Sequence, residues 1–180
     1  MSAAYGIAET RGWVALLAQR LARERADYIV VNASISGETT AGGLARLPKV
    51  LAEHRPAIVI LALGGNDGLR GLPVAEMKRN LAAMVELAQR AGARVLVVGM
   101  RMPPNYGPEY TRAFASAFAE VAKHKSAALL PFLFEDFAGR DDFFQPDRIH
   151  PNEAAQPLIA DAVRRALAPL LARAGSARRP

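Results

Sequence analysis

The chain has 180 residues, 51% of them hydrophobic and 22% charged, with no cysteine and a formal net charge of +6. A chain of that length buries roughly 70% of its unfolded surface, enough for one domain without a disulfide or metal staple. Zero cysteines excludes thiol nucleophiles and Cys-ligated zinc, and no apolar run approaches the roughly 18 residues of a membrane span, so no stable membrane insertion is expected.

The sequence pI of about 10.2 owes much to Arg173, Arg178 and Arg179, which lie in an acid-free C-terminal stretch. That reads as a solvated basic tail. With no basic stripe and no interleaved surface aromatics, nucleic acid is not an expected partner. The opening residues Met1–Glu9 have neither a basic start nor an apolar stretch, so no secretory signal is visible there.

In chain order, residues 11–25 read as a helix with Trp13, Leu16, Leu17 and Leu21 on one face. Residues 28–32 are a short β-branched run, expected as a strand. A polar loop, 34–40, leads to a second helix marked by Leu44, Leu47, Val50 and Leu51 and ending before Pro56. Residues 57–63 are apolar throughout, as in a parallel strand buried on both faces. A loop over 64–71 precedes a helix from Pro73 to Ala91, stopped by Gly92. Residues 94–99 form another buried strand, and 100–107 a proline-rich loop. A helix over 108–125, a short strand over 127–130, an irregular stretch over 132–151 and a helix over 152–173 complete the chain.

Strands alternating with helices of this length predict an α/β fold, a parallel sheet with helices on both faces. Such sheets place their sites in loops at the carboxyl ends of the strands. The chain nevertheless opens on a loop and a helix, so it reads as a five-strand fold lacking its first strand.

Four polar clusters fall at the expected strand ends. Asp147 stands three residues before His150; a carboxylate at that spacing can accept from Nδ1, fixing the tautomer and freeing Nε2 as a general base. Alone, the pair is equally a polar helix start with a surface imidazole. Gly64-Gly65-Asn66-Asp67-Gly68 follows a buried strand, where glycine admits close backbone approach and an Asn amide can donate to a developing oxyanion. An ordinary tight turn uses the same residues. In the 34–40 loop Gly37 can present a backbone N–H, though a capped loop explains it as well. In the 100–107 loop, Asn105 and Tyr106 are candidate substrate-lining residues, though an ordinary proline-rich connection explains them as well.

Together these clusters, in this order, resemble the SGNH (GDSL) hydrolases, within them the bacterial arylesterase, acyl-CoA thioesterase and lysophospholipase group. The resemblance extends through Asn32–Thr40, Gly42–Pro48, Leu63–Gly71, Pro104–Gly107, Leu130–Phe132 and Ile149–Pro157, and reaches about residue 171. It implies a three-layer flavodoxin-like domain over 1–172, strand order 2-1-3-4-5, followed by a tail, 173–180, expected to be disordered.

It further implies serine hydrolysis of an ester, thioester or lysophospholipid through an acyl-enzyme, with no cofactor. Gly37 and Asn66 would form the oxyanion hole, Asp147 would orient His150, and His150 would take the proton from serine. The family's serine belongs to a Gly-Asp-Ser-Leu-Ser block whose last two residues align with Met1 and Ser2. The nucleophile position thus falls immediately before Met1, and Ser2, Ser34 and Ser36 are poor substitutes. A misplaced start codon is the expectation; an upstream segment would supply the serine and strand, with periplasmic export if it also carries a signal. Two alternatives stay open: a non-catalytic protein binding acyl or carbohydrate ligands, and a metal site built from Asp141, Asp142, Asp147 and His150.

Overall fold

A computed structural model describes residues 1–24 and 27–176. Its elements in order are α1 (Trp13–Glu24), α2 (Thr40–His54), β1 (Ile58–Leu61), α3 (Gly65–Leu69), α4 (Val74–Arg90), β2 (Arg94–Val98), α5 (Pro108–His124), β3 (Ala128–Leu130) and α6 (Gln156–Ser176). They fall into two compact units, Met1–Ser36 with Phe134–Arg165, and Gly37–Leu133 with the chain from Ala166 onward.

The second unit holds the sheet. All pairing is parallel, in the order β1-β2-β3, with Ile58 opposite Arg94 and Leu96 opposite Ala128. β2 is central, and Val95, Leu96, Val97 and Val98 are all buried, which is why this run carries no polar alternation. α4 and α5 lie against each other and against β2, and α2 packs on α4. Their stripes supply the core: Met77, Leu81, Met84 and Val85 from α4, and Phe114 and Phe118 from α5. The two phenylalanine rings meet edge to face at 5.3 Å, the arrangement their quadrupoles favour.

In the first unit α1 and the start of α6 are joined by polar contacts. The backbone N–H of Trp13 donates to Gln156 Oε1 at 3.0 Å, and Arg20 pairs with Asp161 at 2.6 Å. Leu17, Leu21, Ile159 and Val163 are buried there. The irregular stretch is tied down by aromatic packing, with Phe137 against Phe134, Phe143 and Phe144. The isolated antiparallel bridge between Phe144 and Pro151 closes its final loop.

Two expectations need correction. Residues 28–32 are not a strand. A strand exists through its ladder, and among the described residues this run has no strand beside it. Ile29 is consequently 90% and Val31 52% exposed. The 64–71 loop, in turn, contains a short helix, α3, started by Gly64 in the left-handed region at φ 111°. Glycine takes that conformation without the steric cost a side chain would bring. At the C-terminus α6 continues past Arg173 to Ser176, and the last four positions of the expected tail lie outside the described residues.

Candidate active site

His150 and Asp147 sit in the loop that precedes α6, within the first unit. His150 Nδ1 and Asp147 Oδ2 are 2.7 Å apart. The spacing works, though not through a helical turn. Asp147 Oδ1 accepts from the backbone N–H groups of Ile149, at 2.9 Å, and His150, at 3.0 Å, so the carboxylate closes a tight Asx-type turn over its own chain. Arg148, between them, takes a positive φ of 54°.

One carboxylate oxygen thus holds the backbone while the other holds the imidazole. The loop is pinned from both sides, because Gln145 N donates to His150 O at 2.8 Å. Asn152 also bonds the carbonyls of Asp142 and Phe144 and accepts from the N–H groups of Ala154 and Ala155.

Partial burial pushes the Asp147 carboxyl up, but the backbone N–H groups of His150 and Ile149, then the His150 ring, outweigh it and hold the group at about 2. Hydrogen bonds to the charged form act in that direction. The ordinary value is 3.8. The ionised group therefore stabilises the folded loop fully above about pH 4, and that contribution fades as pH falls toward the folded value. A carbon NMR titration should place the Asp147 midpoint near 2; an unshifted midpoint would mean that the N–H bonds do not form in solution.

Two neighbours of the imidazole were invisible in the sequence. The Tyr5 ring lies 4.5 Å from the His150 ring, centroid to centroid. Gln145 Nε2 donates to the carbonyl of Tyr5, at 2.8 Å, and to that of Pro151, at 3.2 Å, tying the Tyr5 segment to the His150 loop. A small hollow beside His150 is lined by Met1, Tyr5, Ile7, Pro151 and Ile159.

The alternative metal cluster does not assemble. Asp142 bonds Arg140 at 3.3 Å and Asp141 pairs with Arg148 at 3.8 Å, while Asp147 turns to His150. Among the described residues no group of His, Asp and Glu is arranged to hold a metal ion.

Gly37 and Asn66 lie in the second unit, on two segments that meet. Asn66 Nδ2 donates to the carbonyl of Glu38, the residue after Gly37, at 2.8 Å. Arg70 donates to the Gly37 carbonyl at 3.0 Å, a contact that nothing in the sequence advertised. Gly37 has φ of 76°, which favours glycine, and a Cβ there would meet only Arg70 at 3.8 Å. Conformation, not crowding, calls for glycine at this position.

Asn105 is exposed and Tyr106 half-buried. The Tyr106 hydroxyl donates to Leu69 O at 3.0 Å, so this tyrosine braces the end of α3. Ser34 and Ser36 are exposed, and the Ser34 N–H bonds the Asn32 side chain.

Residues 1–157 match the model of the GDSL-like Lipase/Acylhydrolase family. The chain is 53% identical over 171 residues to the esterase TesA of Pseudomonas aeruginosa, a match covering 95% of this chain and 85% of that protein. It is 40% identical over 171 residues to thioesterase 1/protease 1/lysophospholipase L1 of Escherichia coli, covering 95% and 81%. The crystal structure of TesA superposes with a TM-score of 0.91 at 53% identity, covering 94% of each chain. By the extent of these matches the chain belongs to the GDSL-like lipase/acylhydrolase family.

Proposed function

We propose that His150, oriented by Asp147, is the general base and acid of a serine ester and thioester hydrolase, with Gly37 N–H and the Asn66 amide as oxyanion donors. Carboxylic ester hydrolysis is the chemistry of its family and of the named relatives. The observation that carries the assignment of roles is the doubly held carboxylate: Asp147 fixes both the backbone and the ring of His150. A base must present Nε2 in one tautomer, and a carboxylate on Nδ1 enforces that.

The nucleophile we assign to the serine of the Gly-Asp-Ser block, whose position falls just ahead of Met1. Serine attacks the acyl carbon while His150 takes its proton, and the imidazolium then protonates the departing alkoxide or thiolate. Water, deprotonated by the same imidazole, cleaves the acyl-enzyme and restores the serine hydroxyl. One Asn66 N–H is used on Glu38 O, which aims the amide; the second is the one assigned to the oxyanion. An acyl-CoA or a lysophospholipid fits this chemistry, in line with the names of the relatives.

The test uses the chain carrying the Gly-Asp-Ser segment ahead of Met1, assayed on p-nitrophenyl esters and acyl-CoA. Replacing Asn66 by alanine should lower kcat about 10²-fold with a smaller change in KM, since its donor acts mainly in the transition state. An effect confined to KM would place Asn66 in substrate binding and remove it from the oxyanion hole.

A further inference from the structure

Asp67 is a buried carboxylate that the mechanism above leaves without a task. It is 3% exposed, and its partner Thr40 is 0% exposed. Its two oxygens divide between the two donors of that one residue: Oδ2 accepts from the backbone N–H of Thr40 at 2.9 Å, and Oδ1 from the Thr40 hydroxyl at 2.5 Å. Asn80, on α4, donates to the same hydroxyl at 3.1 Å, so the threonine oxygen both gives and receives. Thr40 is the first residue of α2, capped by Thr39 through Gly42 N. The charge therefore sits at the positive end of that helix, where an anion is favoured.

Asp67 is covalently next to Asn66, and Thr40 lies two residues beyond Glu38. Asn66 donates to Glu38 O, and Asp67 accepts from Thr40. Two short segments are thus cross-linked at two points, a closed ring that leaves neither free to turn about a single contact. One segment carries Asn66 and the other follows directly on Gly37. Burying a carboxylate is costly unless its hydrogen bonds are made, which ties the charge to this one arrangement.

We infer that Asp67 is a positioning residue for the oxyanion hole, its buried carboxylate fixing through Thr40 the relative placement of Gly37 and Asn66. The inference rests on the oxyanion roles proposed above. Replacing Asp67 by asparagine keeps the shape but sets the amide NH2 against either the Thr40 backbone N–H, which cannot accept from it, or the Thr40 hydroxyl, which must then accept where it had donated. One link of the ring is thereby lost or reversed.

The experiment uses the chain carrying the Gly-Asp-Ser segment. Asp67→Asn should lower kcat about 30-fold, within the range for loss of one oxyanion donor or less, with KM within about twofold. In an Asn66→Ala background the same change should cost less than about threefold, because the amide it positions is gone. Thr40→Val, which keeps the N–H and loses the hydroxyl, should fall in the same direction, and Thr40→Ser should restore most of the loss. That threonine pair decides the matter if Asp67→Asn does not fold.

Full additivity with Asn66→Ala, or a stability loss with kcat unchanged, would overturn the inference and leave the hydrolase reading standing. If instead Asn66→Ala and His150→Ala both keep full activity, the hydrolase roles themselves fall, and this inference with them.

Discussion

Substituting His150 by alanine in the chain carrying the Gly-Asp-Ser segment should lower kcat toward esters by about 10³-fold or more, with KM little changed. The loss has two sources. The serine hydroxyl is no longer deprotonated as it attacks, and the departing alkoxide is no longer protonated. The second source matters less for a thioester, because a thiolate with a pKa near 8.5 leaves unaided more readily than an alkoxide. The deficit should therefore be smaller on acyl-CoA than on an alkyl ester of the same acyl chain.

The fold should survive the change. His150 contributes its backbone to the loop through His150 N to Asp147 and Gln145 N to His150 O, and both bonds persist in alanine. The side chain is 26% exposed, so little packing is lost. An unchanged far-UV spectrum and melting temperature, read beside the kinetics, separates lost chemistry from lost structure. Near-wild-type ester turnover in this variant would remove His150 from the mechanism.

The residues of the candidate site were legible because they punctuate the sequence where strands end, and their types are rare there for any other purpose in combination. Asp147 and His150 stand three positions apart and meet as the spacing suggests, though by an Asx turn and not a helix. What escaped notice is contact between distant segments. Gln145 reaches Tyr5 across 140 positions and Asp67 reaches Thr40 across 27, and no local pattern encodes either pairing. α3 was missed for a different reason. Gly65-Asn66-Asp67-Gly68 has poor helix propensity, and its single turn is imposed by tertiary contacts such as Tyr106 on Leu69 O. The expected strand over 28–32 failed by the opposite logic. Its composition suits a strand, but sheet membership is decided by a neighbour and not by propensity.

The exposed apolar side chains of that run lead to the second large effect. The 180 residues expressed alone should self-associate, with an oligomeric fraction that grows with protein concentration in sedimentation equilibrium. Ile29, Val31 and Ile35 are exposed in the first unit, each forgoing part of the roughly 1.5–3 kcal/mol that full burial would return. In the second unit β1 is a sheet edge among the described residues, and Ile58, Val59 and Ile60 are only partly buried although the run is apolar. Open apolar edges template pairing with another chain. The net charge of +6 opposes this weakly, since at 0.15 M salt repulsion is screened beyond about 8 Å. Lysine at positions 29 and 31 together should shift the equilibrium toward monomer by placing charge on the exposed run. Joining the strand and Gly-Asp-Ser segment ahead of Met1 should do so more strongly, because the strand order that the family resemblance implies would set that strand against the β1 edge. A monomer at every concentration in the unextended chain would show that neither surface is adhesive, and that the β1 edge is protected by something other than a strand.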